Sequence, residues 1–112
     1  MGTNKRYPHL GMQRLEERQL QAARRAGPLQ SLTAEQLRLH AQPVTVVPDG
    51  LQLWGYAWLR FGDVDVRCTV LVRRWTADAV GVEVPVEGGE IPRCWIWQGA
   101  CQRLTQRTDA WT

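Results

Sequence analysis

The sequence predicts an α+β fold in which two helices precede a small antiparallel sheet. Hydrophobic residues follow a helical period between about residues 10 and 40, and they alternate with polar ones between about residues 44 and 98. Turn signals rich in glycine and aspartate separate the alternating runs, as in antiparallel hairpins. A chain of 112 residues is long enough for one domain with a small core. We therefore divide it into a basic helical arm and joint (1–42), a small β-domain (43–104) and a polar tail (105–112).

The first predicted helix covers residues 10–26, because this segment is rich in helix formers and ends at Gly27-Pro28. At about 100° per residue, Arg14, Arg18 and Arg25 share one side. A thin apolar stripe is expected on another side, at Met12, Leu15, Gln19, Ala22, Ala23 and Ala26. Two arrangements stay open: the helix projects as an arm or packs on another chain, or it docks with Glu17 and its neighbours on a solvated face.

A shorter second helix is predicted over residues 34–40. Thr33 and Gln36 have the spacing of a capping box, and Pro43 lies beyond the predicted end. Leucines at positions 32, 37 and 39 are expected to attach this helix to the body.

Five strands are predicted after the second helix. They are residues 44–47, 51–61, 63–73, 79–86 and 90–98. Pro85 and Pro92 cannot donate to a strand ladder, so their strands are expected to be edges or to carry bulges. Five short strands favour a small antiparallel five-stranded SH3-like β-barrel or a strongly bent sheet, because a flat sheet of this size would be poorly covered. The chain after Gly99 is expected to make one helical turn and then fray.

Positive charge is concentrated in the N-terminal third of the chain. The formal net charge is +3; residues 1–42 carry seven basic and three acidic side chains, and residues 43–112 carry seven basic and eight acidic ones. Attraction to nucleic acid or to an acidic protein partner is therefore expected at the N-terminal third. The candidate residues are Lys5, Arg6, Arg14, Arg18 and Arg25.

Trp54, Tyr56 and Trp58 alternate with small residues in the stretch LWGYAWLRFG, and we call these three residues the aromatic row. Arg60 is in phase with them, and an arginine is rarely buried without a partner, which favours a row that points away from the core. Core filling stays the alternative, because three exposed aromatic rings form an unusually large apolar patch. An outward row could stack on bases, on prolines or on a partner's side chains.

Two further groups of residues combine tryptophan with arginine or with a second tryptophan. Arg73, Arg74 and Trp75 lie at a predicted strand end, where they could hold phosphates or stack on a base; a solvated hairpin end is the alternative. Trp95 and Trp97 share one face of the last predicted strand, and they are expected to fill the barrel or to cover its mouth.

Sequence motifs of catalysis and cofactor binding are absent. There is no glycine-rich phosphate loop, no His-Glu-x-x-His and no serine elbow, and Ser31 is the single serine. Cys68, Cys94 and Cys101 fit no common metal spacing, so we expect reduced thiols. We therefore expect no enzyme activity, no cofactor, no metal and no small-molecule substrate.

The apolar runs are too short for a signal segment or a membrane span, so a cytoplasmic protein without membrane contact is expected.

Three segments of the chain, GTNKRYP, GPLQSLTAEQL and WIWQGA, resemble short proteins encoded by bacterial prophages and mobile elements. The resemblance covers most of the chain, and it departs from the pattern at Cys101, where valine is expected. That family has no assigned function, so the resemblance implies a phage or integrated-element context and a bacterial host or a virion as the location. It implies no mechanism.

The first functional hypothesis is a non-catalytic accessory protein of a phage or mobile element. It would bind nucleic acid or a protein partner through the basic helical arm and the aromatic row. The alternative is a virion structural component, a head-to-tail connector or assembly protein, in which the chain forms a homo-oligomer. A third, weaker alternative is an inhibitor of a host protein.

Overall fold

The computed structural model describes residues 8–111, and this part of the chain forms two α-helices and one six-stranded antiparallel sheet. The helices are α1 (Pro8–Ala26) and α2 (Ala34–Leu37), and the strands are β1 (Thr45–Val46), β2 (Leu53–Phe61), β3 (Val64–Trp75), β4 (Ala79–Glu83), β5 (Arg93–Trp97) and β6 (Cys101–Leu104). Short 3₁₀ helices lie at Gln98–Ala100 and Arg107–Trp111. The α+β class and the five predicted strands are confirmed. The expectation of a frayed end was wrong, because β6 and a 3₁₀ helix follow Ala100.

The strands are ordered β5-β4-β3-β2-β6, and β1 pairs with the end of β3. A two-residue turn at Gly62-Asp63 joins β2 to β3, and Gly62 has a φ of +59°, which glycine adopts without strain. The last strand, β6, pairs with the first half of β2. No pairing joins β5 to β6 in the described residues, so the strands do not close into a barrel.

Residues 28–32, which we call the joint, form hydrogen bonds with both β2 and β5. These bonds are on the edges of the two strands that face away from β3 and β4. The Gln30 N–H donates to the Arg60 carbonyl (2.7 Å), beyond the point where β6 pairs with β2. The Leu32 N–H donates to the Trp95 carbonyl (3.0 Å) at the outer edge of β5. Because these edges are already occupied, they are protected from pairing with another chain.

The core lies between α1 and one face of the sheet, which we call the core face; the other face is the outer face. Alternate residues of the strands fill the core, as the sequence pattern predicts. The core residues are Ala57, Leu59, Phe61, Val66, Cys68, Val70, Val82, Val84, Cys94 and Ile96 from the strands, and Leu20 and Ala23 from α1.

Pro85 and Pro92 lie just outside strands rather than within them. The strand β4 ends at Glu83 and β5 begins at Arg93, so neither proline has to donate to the ladder. The expectation of an edge strand is confirmed for Pro92, because β5 is the terminal strand of the sheet. The expectation of an edge or a bulge was wrong for Pro85, because β4 pairs with strands on both sides and the bulge between β3 and β4 lies in β3.

The helix α1 packs against β2 and β3, and it does so through a different side from the predicted stripe. Leu20, Ala23 and Glu16 are buried, whereas Met12 and Leu15 are about 40% exposed (42% and 40%). The stripe prediction is confirmed at Ala23 and was wrong at its other five members, because the docked side includes a carboxylate, which hydrophobic periodicity assigns to solvent.

Hydrogen bonds to Glu16 explain why an acidic side chain faces the interior. Its carboxylate accepts from the Thr69 backbone N–H (2.5 Å) and from the Thr69 Oγ1 hydroxyl (2.8 Å), and Arg107 Nη2 lies 3.4 Å away. The Nε of Arg107 also donates to Thr69 Oγ1 (3.0 Å). Since β4 pairs with β3 only from Leu71 onwards, Glu16 supplies the acceptor that no strand offers to Thr69. This Glu16 network joins α1, β3 and the C-terminal 3₁₀ helix.

The capping box of α2 is confirmed. The Thr33 N–H donates to Gln36 Oε1 (2.9 Å), and the Gln36 N–H donates to Thr33 Oγ1 (3.1 Å). The helix ends at Leu37 rather than at residue 40, because Arg38 adopts a left-handed φ of 54°. Leu37 is buried as expected, but Leu39 is exposed.

We expect Glu16→Gln to lower the free energy of unfolding by about 3 kcal/mol, because an amide cannot accept from Thr69 and pair with Arg107 as the buried carboxylate does. Urea unfolding measures the change. The matched control is Glu17→Gln on the same helix, for which we expect a change below about 0.5 kcal/mol. Equal losses in the two variants would contradict the assignment.

Candidate binding surface

The aromatic row lies on the outer face of β2. The residues between its members, Gly55 and Ala57, are buried on the core face, whereas Trp58 is 50% exposed and Trp54 and Tyr56 are half-buried. This is the orientation that the phase of Arg60 favours. The Arg60 side chain lies on the surface and pairs with Asp65 across the hairpin (3.6 Å).

A second arginine covers the middle of the aromatic row. The Arg67 guanidinium lies 4.2 Å from the centroid of the Tyr56 ring and 5.8 Å from that of Trp58, within cation–π range. Its Nη2 donates to Gln102 Oε1 on β6 (3.1 Å). The sequence carried a signal for this contact, because a two-residue turn at Gly62-Asp63 places Trp58 opposite Arg67.

The first residue of the row, Trp54, is covered by the C-terminal 3₁₀ helix. The Arg107 guanidinium lies 4.9 Å from the Trp54 ring centroid and 5.4 Å from that of Trp111. Arg107 is held there by the Glu16 network. Trp111 is therefore docked rather than free, and Trp58 is the most exposed member of the row.

The arginines of α1 form a separate basic surface. Arg14, Arg18, Arg24 and Arg25 are all exposed, and none of them forms an ion pair within residues 8–111. Arg14, Arg18 and Arg25 share a side of the helix that faces away from the buried side at Leu20 and Ala23, whereas Arg24 lies closer to the buried side, about 40° around the helix from Leu20. The other two predicted basic residues, Lys5 and Arg6, lie outside the described residues.

Arg73 and Arg74 lie near the end of β3, two and three residues beyond Leu71, which pairs with Trp54 at the start of the aromatic row. Arg73 pairs with Glu83 (3.3 Å) and with Asp49 (3.8 Å), so its charge is partly compensated. Arg74 is exposed, and no ion pair involves it in the described part of the chain. The structure therefore does not bring the predicted basic and aromatic residues into one cluster. It places them on α1, on β2 and at the end of β3.

The expectation that Trp95 and Trp97 fill a barrel interior was wrong. Cys94 and Ile96 occupy the core face of β5, whereas Trp95 is half-buried and Trp97 is 46% exposed on the other side. Strand alternation requires one pair or the other to face the core, and the smaller pair belongs to the core cluster.

The three cysteines are free thiols whose environment disfavours ionisation. Burial raises the pKa of Cys68, with the Glu16 carboxylate adding to the effect; burial also raises the pKa of Cys94 to about 11, and it raises the pKa of Cys101. The thiolate, which is the nucleophilic and metal-binding form, is therefore scarce at neutral pH. Among the described residues, no three His, Cys, Asp or Glu side chains are grouped closely enough to hold a metal ion.

Comparisons with protein-family models, with curated proteins and with solved structures return no significant match for this chain.

Within the part of the chain that the structure describes, no helix combines the length and the apolar character that crossing a membrane requires.

We expect Trp58→Ala to change the free energy of unfolding by about 1 kcal/mol or less, because this ring is half exposed and its described ring contact is with Arg67. The neighbouring variant Leu59→Ala should cost about 2 to 5 kcal/mol, since Leu59 is fully buried. Thermal or urea unfolding of both variants measures the contrast. A loss at Trp58 as large as that at Leu59 would assign Trp58 to the core.

Proposed function

We propose that the protein is a non-catalytic module that binds nucleic acid through the arginines of α1 and the aromatic row. The observation that carries the proposal is a set of exposed arginines on α1 that form no ion pair within residues 8–111: Arg14, Arg18 and Arg25 on the side away from the sheet, and Arg24 closer to it. A guanidinium stays charged at physiological pH and matches the geometry of phosphate oxygens. Because α1 is docked on the sheet, these side chains are presented from a fixed backbone.

The aromatic row supports single-stranded rather than duplex nucleic acid as the ligand. Bases of a single strand are free to stack on an exposed ring, and each stacked base contributes about 1 to 3 kcal/mol. Trp58 offers such a ring, because half of its surface is exposed. A protein partner with an acidic surface is the other ligand that this charge would attract.

The phage or mobile-element context stays a prediction that rests on the resemblance of the sequence. The SH3-like architecture also stays a prediction for the arrangement of the strands, which strand pairing alone does not close into a barrel in the described residues. The contacts of the joint with both β2 and β5 support it, since they connect the parts of the sheet that a barrel would close.

We expect the double variant Arg14→Gln, Arg18→Gln to bind a fluorescein-labelled oligothymidylate more weakly than the unchanged protein. The magnitude of the slope of log affinity against log salt concentration should fall by about 0.7 for each arginine removed, because fewer counterions are released from a single strand. Fluorescence anisotropy between about 50 and 200 mM salt measures both effects.

The matched control is Arg103→Gln, which removes a charge from β6 on the side opposite to the aromatic row. For this variant, the slope of log affinity for oligothymidylate against log salt concentration should equal that of the unchanged protein. Failure of the unchanged protein to bind at low salt would contradict the proposed function.

A specific observation favours assembly as the second candidate function. Met12 and Leu15 are each at least 40% exposed and lie about 60° apart on one side of α1, and adjacent exposed apolar side chains are typical of a surface that contacts another subunit. This arrangement would suit a virion structural component in which α1 packs on a neighbouring copy.

For this second candidate we expect a symmetric oligomer in solution, and we expect Leu15→Gln to shift it towards the monomer, because the glutamine removes apolar contact area. Light scattering coupled to gel filtration measures the mass. A protein that is monomeric at every concentration tested would contradict assembly through α1.

A further inference from the structure

A groove on the outer face of β3, β4 and β5 places three arginines around one glutamate and one tryptophan. Its volume is about 440 Å³, within the range of about 300 to 1,000 Å³ that is typical of ligand sites. The residues that matter for its chemistry are Arg73, Arg74, Glu83, Arg93 and Trp95.

A β-bulge in β3 explains why two consecutive arginines line the same groove. Val72 pairs with Val82, but Arg74 pairs with Gly81, so Arg73 is an extra residue without its own partner on β4. In a regular strand, consecutive side chains point to opposite faces. The bulge removes this alternation locally, so both side chains lie on one side of the sheet, with Arg73 paired to Glu83 and Arg74 exposed.

Gly81 forms the floor of the groove. A Cβ atom at this position would lie 2.7 Å from Cγ of Arg74 and 3.3 Å from Cε2 of Trp95. Glycine therefore lets an arginine and an aromatic ring approach each other across β4. The backbone of Trp95 is held on its other side, where its N–H donates to Ser31 Oγ of the joint (2.9 Å).

The groove carries more positive than negative charge. Glu83 accepts from Nε of Arg93 (2.9 Å) and lies 3.3 Å from Nε of Arg73, while Arg74 has no ion pair in the described part of the chain. Even with the exposed Asp49 beside Arg73 included, guanidiniums outnumber carboxylates. Because Glu83 engages Arg93 through Nε, the terminal nitrogens of that exposed guanidinium remain available to an anion.

We propose that this groove binds one nucleotide of a single strand, with the phosphate on Arg74 and Arg93 and the base stacked on Trp95. The proposal rests on the proposed nucleic-acid function, and it assigns a site that is separate from α1 and the aromatic row. Phosphate oxygens accept from guanidinium groups in a charge-assisted geometry, and every base offers a face to an indole ring. An acidic peptide satisfies the arginines but leaves the ring of Trp95 without a stacking partner.

Two measurements on the full chain test the site. The first is the affinity of the double variant Arg74→Gln, Arg93→Gln for oligothymidylate, which we expect to fall about tenfold or more relative to Arg103→Gln. The second is the indole N–H signal of Trp95 in the unchanged protein, assigned by its loss in Trp95→Phe. We expect this signal to shift when oligothymidylate is added, and to shift much less with an abasic oligomer of the same length.

The outcomes separate this site from the proposed function as a whole. The groove is not the site if the unchanged protein binds oligothymidylate and the double variant Arg74→Gln, Arg93→Gln binds it as tightly as Arg103→Gln does. A Trp95 signal that does not move when oligothymidylate binds would also exclude the groove. If the abasic oligomer moves the signal as much as oligothymidylate does, base stacking on Trp95 is wrong. Tighter binding of a polyglutamate peptide than of oligothymidylate would overturn nucleic acid as the ligand. If no oligonucleotide binds at low salt, the proposed function fails together with the site.

Discussion

The hydrogen bonds and ion pair made by the buried carboxylate of Glu16 determine how α1 is oriented on the sheet. Because this side of the helix carries Glu16 as well as Leu20 and Ala23, the helix is rotated away from its alanine-rich stripe, and the basic side faces solvent. The same carboxylate holds Arg107, which in turn covers Trp54. One interaction therefore influences both which charges are presented and which ring of the aromatic row stays accessible. A buried carboxylate is stable in such a position only when its hydrogen-bond partners are all in place.

The joint and the bulge in β3 have related effects on the outer face of the sheet. The joint occupies edges of β2 and β5 that would otherwise present unpaired backbone groups, and it holds Trp95 in position. The bulge breaks strand alternation at Arg73. Together they produce a charged groove from strands whose other face is an ordinary apolar core.

Several arginines of this protein are used within the fold rather than left for a partner. Arg67 and Arg107 lie against rings of the aromatic row, and Arg73 pairs with acidic side chains. These contacts reduce the charge that a partner meets on the sheet, while the arginines of α1 and Arg74 are left unpaired in the described part of the chain. The formal charge of a segment is for this reason a poor guide to where attraction is strongest. The geometry of the ion pairs decides it.

The sequence by itself determined the elements whose signals are local. Strand alternation in LWGYAWLRFG, the two-residue turn at Gly62-Asp63 and the capping box of α2 each depend on neighbours in the chain, so their patterns predict the observed structure. Only the tertiary structure decided the docked side of α1, the existence of β6 and the cover over Trp54. Each of these depends on a partner distant in sequence, Thr69 for Glu16, the first half of β2 for β6 and Arg107 for Trp54, and hydrophobic periodicity contains no information about such pairs.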